Sequence, residues 1–127
     1  MPRHPRTPRP LVADGHAYLW TTRHSHSRDR DGRPVDCRHI LTFFPQPAGS
    51  SGPLRVVFAE EPDRYVPGGA PAGSGDVGFL HSAHLNLHEP GAARALLDAA
   101  LARGWRPGHR RTVVVDGWPL LAAVAAR

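Results

Sequence analysis

Apolar residues recur at helical spacing across residues 89–104. They form one stripe, which consists of Ala93, Leu96, Leu97, Ala100 and Leu101. Pro90 suits the first helical position, and Gly104 suits the left-handed residue that follows a helix. Arg94 and Asp98 stand four residues apart on the opposite face, where they can form an ion pair. The pattern predicts one main helix that packs through its leucines.

Aromatic, β-branched and alternating stretches predict strands on both sides of this helix. The strands predicted before it are Ala17–His26, Val35–Phe44, Leu54–Glu60 and the short His84–His88. After it, Thr112–Asp116 predicts a strand and Trp118–Ala126 a short C-terminal helix. This order predicts an α+β fold, with a mainly antiparallel sheet of about four to five strands and the main helix packed on one face.

The length of 127 residues allows one domain, although two stretches fall outside the apolar pattern. Met1–Pro10 alternates proline and arginine, which predicts a disordered basic arm before a single α+β domain over residues 11–127. Residues 61–77 contain four glycines and three prolines and predict a mobile loop within that domain.

The formal charge of +5 changes this picture little, because three arginines of the arm supply most of it. The single cysteine excludes an internal disulfide and favours a reducing compartment. The longest apolar run, residues 120–126, is too short to cross a bilayer, and the basic N-terminus lacks the apolar run of a signal peptide. We therefore expect a cytoplasmic protein that does not bind membranes.

Gly-Trp-Arg-Pro-Gly follows the predicted helix at residues 104–108. The segment from Pro90 to Gly108 resembles the tail of small uncharacterised bacterial α+β proteins, in which strands precede a helix and Gly-Trp-x-Pro. The resemblance covers about a fifth of the chain. It implies a fold and carries no activity.

A predicted β-hairpin contains the sharpest candidate chemistry. The Asp-Gly pair at residues 31–32 is typical of a two-residue turn. In the register that follows, His24 faces His39 and His26 faces Cys37, all on one side of the ribbon. Three imidazoles and a thiolate suit Zn²⁺. The alternative interpretation is a solvated face on which the histidines are polar filler and the cysteine is a small free thiol.

Cys37 also raises the hypothesis of a nucleophile, because Arg38 and nearby imidazoles would favour its thiolate. No acid or oxyanion element can be assigned to it, so the sequence favours a non-enzymatic protein. His81, His84 and His88 form a second group, which we interpret as exposed residues that alternate with inward leucines.

Arginines supply a candidate nucleic-acid interface. Every one of the sixteen cationic side chains is arginine, and several stand together without an intervening acid. The candidate residues are Arg3, Arg6 and Arg9 of the arm and the patch Arg103, Arg106, Arg110 and Arg111.

Aromatic residues supply the leading hypothesis. The candidate interface residues are Trp20, Trp105 and Trp118, and with Phe43 and Phe44 they exceed what a small core obviously needs. We therefore expect a small non-enzymatic domain that binds a protein partner or oligomerises.

Overall fold

The computed structural model describes residues 8–47, 49, 51–61, 64–65, 76–79 and 84–125. Ten elements follow one another in these ranges. In chain order they are β1 (Arg9–Ala13), β2 (His16–Arg28), β3 (Pro34–Pro45), β4 (Leu54–Ala59), β5 (Arg64–Tyr65), β6 (Asp76–Phe79), β7 (His84–Asn86), α1 (Pro90–Ala102), β8 (Val113–Asp116) and α2 (Gly117–Ala125). The predicted α+β class is confirmed, with two helices and a mostly antiparallel five-stranded sheet.

The large sheet has the strand order β1-β2-β3-β4-β8, and only the β4–β8 pair is parallel. Its first strand was not predicted. β1 pairs with β2 through a two-residue turn at Asp14 and Gly15, whose φ angles of 51° and 78° fit the primed turn of tight hairpins. Arg9 and Pro10 therefore belong to β1, and the predicted arm is too long at its C-terminal end. Residues 1–7 lie outside the described residues.

Alternation along the strands divides this sheet into two faces. The inner face carries the large side chains of the buried core, which are Tyr18, Trp20, Leu41, Phe43, Leu54, Val56 and Phe58. Leu96 and Leu97 of α1 and Leu120 and Leu121 of α2 belong to the same buried cluster. The helices are therefore held to the inner face by apolar burial.

A second sheet of three short strands, β5-β6-β7, contributes Val77 to the core, and Leu87 follows it. Part of it lies within residues 61–77, so the prediction of one continuous loop there is wrong where β5 and the start of β6 form. Short strands in a Gly/Pro-rich stretch give too little periodicity to be recognised. Residues 62–63 and 66–75 of that predicted loop lie outside the described residues.

The main helix begins at Pro90, as predicted, and its end is followed by Gly104 with a φ of 105°. Arg94 and Asp98 form the predicted pair, with Nε and Oδ1 3.0 Å apart. Arg94 also donates to the carbonyl of Val12 at 2.9 Å, so the helix is tied to β1.

The second helix starts directly where β8 stops. Asp116 Oδ1 accepts the backbone N–H of Trp118 at 3.1 Å, which is the contact of a helix N-cap. The Trp118 indole donates to the carbonyl of Ala59 at 2.9 Å, and its ring meets Phe58 edge-on at 5.1 Å. Within the described ranges, neither helix is long and apolar enough to span a bilayer.

Candidate functional site

The β2–β3 hairpin, which carries the candidate metal ligands, turns differently from the prediction. Asp29 and Arg33 close a three-residue loop, with Asp29 N donating to Arg33 O at 3.0 Å and Gly32 N donating to Asp29 O at 3.1 Å. An odd loop alone would shift the register by one residue. A bulge in β3, where Asp36 has a φ of 53°, supplies the extra residue and cancels that shift.

The bulge decides which predicted pairs form. His24 lies opposite His39, as predicted. His26 does not lie opposite Cys37 alone, because the register shifts between Ser25 and Ser27. The predicted two-residue turn is therefore wrong, although the register beyond the bulge agrees with the prediction.

Four imidazoles stand in a row along the inner face at this end of the sheet. The ring centroids are 5.3 Å apart for His26 and His24, 6.1 Å for His24 and His39, and 6.0 Å for His39 and His88. His39 is fully buried. His88 was not predicted here, and it comes from the turn after β7, where its Nδ1 lies 3.3 Å from Thr22 Oγ1. We call these four residues the histidine row.

The predicted zinc ligands were His24, His26, Cys37 and His39, and the structure places the three histidines in this row. No group of three or more His, Cys, Asp or Glu residues could hold a metal ion in the part of the chain that the structure describes. The rings follow one another along the sheet, whereas a tetrahedral ion needs its ligands around one point. The histidine row therefore does not have the geometry of a tetrahedral zinc site.

Cys37 is buried and free. Burial, followed by the charges of Glu60 and Asp36, raises the pKa of its thiol above the ordinary value. This raised pKa argues against the hypothesis of an activated thiolate, because it favours the neutral thiol. The thiol packs as a small apolar group in the core.

The three tryptophans predicted as interface residues are buried. Trp20 and Trp118 are each 2% exposed and Trp105 is 6% exposed. Trp20 lies under the guanidinium of Arg9, whose Cζ is 4.8 Å from the ring centroid. These side chains form the core, so the proposed aromatic interface at Trp20, Trp105 and Trp118 is wrong.

The candidate nucleic-acid-binding residues occupy different environments in the structure. Arg3 and Arg6 lie outside the described residues. The Arg9 guanidinium makes contacts within the fold: it lies over the Trp20 ring and donates a hydrogen bond to the carbonyl of His88 at 2.7 Å. Arg106 caps α1 by donating to the carbonyls of Leu101 and Trp105 at 2.7 and 2.8 Å. Arg103, Arg110 and Arg111 are exposed.

The outer face of the large sheet, opposite the core, is a surface that the sequence did not reveal. The large hydrophobic side chains most exposed in the described residues are Val12 at 62%, Phe44 at 39% and Val114 at 63%. Strand pairing places all three on this face, because Phe44 lies beside Leu19, Val12 beside Ala17 and Val114 beside Arg55.

Three arginines share the outer face. Arg23, Arg38 and Arg55 are exposed, and within the described ranges their side chains make no hydrogen bond or ion pair. Ile40 lies among them and is nevertheless buried. Long arginine stems can cover an apolar neighbour while their charged ends stay in water.

Two clefts open near the end of α1. The first, of about 630 Å³, is bounded by Asp14 and Arg106 and includes Tyr18, whose buried hydroxyl has no hydrogen-bond partner in the described structure. The second, of about 560 Å³, lies between α1, β8 and α2 and includes Trp105. The Trp105 indole N–H is also buried without a described partner. The rings of Tyr18 and Trp105 are 6.2 Å apart.

Comparison with known proteins does not assign a role to these surfaces. No protein family, curated protein or solved structure matches the chain. The likeness to small uncharacterised bacterial α+β proteins stays an expectation from residues 90–108.

Proposed function

We propose that this protein is a non-enzymatic binding domain whose outer sheet face docks a protein partner with an acidic surface. The observation that carries the proposal is that the exposed residues Val12, Phe44 and Val114 all lie on the same face of the large sheet, on β1, β3 and β8. Isolated exposed apolar residues are ordinary, whereas several on one face are typical of an interaction site.

The chemistry of the partner follows from the charges on the same face. Arg23, Arg38 and Arg55 are exposed there without an ion pair in the described ranges. Arginine forms planar, two-pronged contacts with carboxylates and is enriched at protein interfaces. A partner that brings Asp or Glu beside apolar side chains would complement both the charge and the apolar surface.

A second copy of the chain suits the face less well. Packing two outer faces together would bring two sets of these three arginines into one interface. Like charges at an interface oppose association unless the partner supplies counter-charges. We therefore expect the isolated protein to be monomeric at low ionic strength.

A random displayed peptide library, selected against the whole protein at low ionic strength, tests the proposal. We expect the selected peptides to combine Asp or Glu with Leu, Phe or Trp, and to bind more weakly as salt is added. Val114→Glu should weaken the binding of these peptides by about tenfold or more, because it places a negative charge against their carboxylates. Ala122→Glu on the exposed side of α2 is the matched control and should leave binding unchanged.

Other outcomes would assign the face differently. Selected peptides without acidic residues, or peptides that bind Val114→Glu as well as the parent, would overturn the proposal. Sedimentation showing a dimer that Val114→Glu dissociates would assign the face to a second copy. Retardation of single-stranded DNA that Arg38→Gln abolishes would assign it to nucleic acid, the other expectation from the arginine-rich sequence.

A further inference from the structure

The two edge strands of the large sheet differ in how open they are to a further strand. The strand order places β1 at one edge and β8 at the other, and each pairs with a single neighbour in the described ranges. At such an edge, backbone N–H and C=O groups point away from the sheet and can pair with another chain.

The edge of β1 is blunted. The two-residue turn makes Ala13 and His16 a hydrogen-bonded pair. Pro10 and Val12 therefore direct their backbone groups away from β2. Pro10 has no N–H to donate, and the carbonyl of Val12 already accepts the guanidinium of Arg94 at 2.9 Å. Proline and a charged side chain are common protections of a strand edge, so this edge offers little to a partner.

The edge of β8 lacks both protections. The N–H of Val113 donates to the carbonyl of Pro53 at 2.9 Å, so Val113 and Val115 direct their backbone groups towards β4. The N–H and C=O of Val114 therefore point out of the sheet, where they have no hydrogen bond among the described residues. The strand itself is Val-Val-Val-Asp, without proline or a basic side chain. This edge is open to another strand.

Side chains on both sides of the β8 edge can contact an added strand. On the outer face, Val114 is 63% exposed. On the inner side, Val113, Val115 and Leu120 line the cleft of about 560 Å³ between α1, β8 and α2. Successive side chains of a strand point to opposite faces, so an added strand would place one set beside Val114 and the other over this cleft. In strand addition, backbone pairing supplies affinity and such pockets supply specificity.

The charges along this edge state where an acidic partner would lie. Arg110 and Arg111 precede β8 and Arg55 lies on the neighbouring β4, and all three are exposed without an ion pair in the part of the chain described. Asp116 is at the other end of β8, about 10 Å from the start of the strand. Carboxylates of an added strand are therefore favoured at the start of β8 and repelled at its end.

We propose that an extended segment of the acidic partner adds a strand to the free edge of β8, antiparallel to it, with its acidic C-terminal end beside Arg110 and Arg111. The backbone of the segment pairs with Val114, and its apolar side chains point into the cleft. This inference rests on the proposed function and adds to it the backbone conformation of the bound segment and the strand that receives it.

A synthetic peptide, acetyl-Ser-Thr-Val-Glu-Leu-Glu-Asp-amide, is the probe. Its fourth residue is designed to lie opposite Val114, its third and fifth residues point into the cleft, and its last two residues lie at the arginines. We expect saturable calorimetric binding to the full-length protein. The amide of Val114 should become protected from hydrogen exchange when the peptide binds, because it gains a hydrogen bond.

Methylation of single backbone nitrogens in the peptide tests the pairing without altering the protein. An N-methyl group at the fourth residue removes the N–H that faces Val114 and should weaken binding about fivefold or more. An N-methyl group at the fifth residue removes an N–H that faces away from β8, and should change binding less than about twofold. Strand addition therefore predicts an alternating effect along the peptide.

Matched proline variants compare the two edges of the sheet. Val114→Pro removes the outward N–H of β8 and should weaken binding of the peptide about fivefold. Val12→Pro is the control, because it replaces an equally exposed valine and removes an outward N–H from β1. It should bind the peptide within about twofold of the parent. Thermal unfolding of both variants shows whether the fold is retained.

The outcomes separate this inference from the proposed function. If acidic peptides bind, but the two N-methylated peptides bind equally or the Val114 amide stays unprotected, the strand addition is overturned and the outer-face proposal stands. If neither the probe nor any acidic library peptide binds, both are overturned. A dimer that Val114→Pro dissociates and Val12→Pro does not would give the β8 edge to a second copy and would also overturn the inference.

Discussion

Replacing Tyr18 by phenylalanine should make the protein more stable. Tyr18 is 1% exposed, and its hydroxyl is buried without a hydrogen-bond partner in the described structure. In the unfolded chain the same hydroxyl is hydrogen-bonded to water, and it loses these hydrogen bonds on folding. Phenylalanine keeps the ring, including its contact with Trp105 at a centroid distance of 6.2 Å, and removes only the oxygen.

The size of the gain follows from the cost of an unsatisfied buried group. That cost is about 1–3 kcal/mol, and part of it is offset by the packing that the oxygen atom loses. We therefore expect Tyr18→Phe to raise the free energy of unfolding by about 1 kcal/mol, or the melting temperature by about 4 °C. Urea unfolding followed by circular dichroism measures this directly.

The dependence on pH gives a second measurement. Burial, followed by the charge of Asp14, raises the pKa of Tyr18 above its ordinary value of 10.0. A raised pKa in the folded state means that the stability contribution is fully present below about pH 10 and is lost as pH rises through the folded pKa. Tyr18→Phe should remove this part of the alkaline loss. The raised pKa of Cys37 contributes in the same direction, starting from its ordinary value of 9.0.

A less stable Tyr18→Phe variant would refute this reasoning. A loss of about 1 kcal/mol at neutral pH would mean that the hydroxyl has a partner, such as a buried water, in solution. If the free energy of unfolding fell with rising alkaline pH as steeply in Tyr18→Phe as in the parent, the Tyr18 phenol would not ionise from a buried position. Tyr18→Leu is the contrasting variant, because it removes the ring as well and should destabilise the protein.

Three further predictions concern a core glycine, a helix cap and the buried cysteine. Gly117→Ala should lower stability by about 1–3 kcal/mol in thermal unfolding, because the new Cβ would lie 2.6 Å from the Phe58 ring. Asp116→Ala should cost about 1 kcal/mol and reduce helical circular dichroism, because the N–H of Trp118 loses its cap. Cys37 should react with iodoacetamide far more slowly in the folded protein than in urea, because its thiol is buried and its pKa is raised.

Each of these predictions has its own control. Gly108→Ala meets no atom within 4 Å and should be nearly neutral, so an equal loss at both glycines would contradict the steric argument. Asp116→Asn can still accept the hydrogen bond and should retain most of the stability. Rapid alkylation of the folded protein at neutral pH would show that the Cys37 side of the core opens readily.

The three Asp-Gly pairs show where sequence reasoning succeeds and where it stops. At Asp14 the pair forms a tight two-residue turn that was not predicted, between β1 and β2. At Asp31 the same pair enters a three-residue loop. At Asp116 it ends a strand and caps a helix. An Asp-Gly dipeptide favours certain backbone dihedral angles, and the packing around it determines which of these angles it adopts.

The candidate sites were less predictable than the elements. The pairing of His24 with His39 followed from the hairpin, whereas the bulge at Asp36 has no glycine to announce it. His88 reaches the row only through the packing of β7 and α1 against the sheet. All three tryptophans are buried through tertiary contacts, which no local sequence pattern contains. The same holds for the unpaired Tyr18 hydroxyl and Trp105 indole N–H.

The parallel pair at the edge of the sheet bears on how the outer sheet face forms during folding. Neighbours from β1 to β4 are successive in the chain, whereas Leu54 of β4 meets Val113 of β8 across 59 positions. Contacts of such sequence separation form late, because closing a long loop is entropically unfavourable. We therefore expect Val114 to join the outer face after β1 to β4 have paired. A partner that depends on Val114 would recognise the finished protein and pass over chains that are still folding.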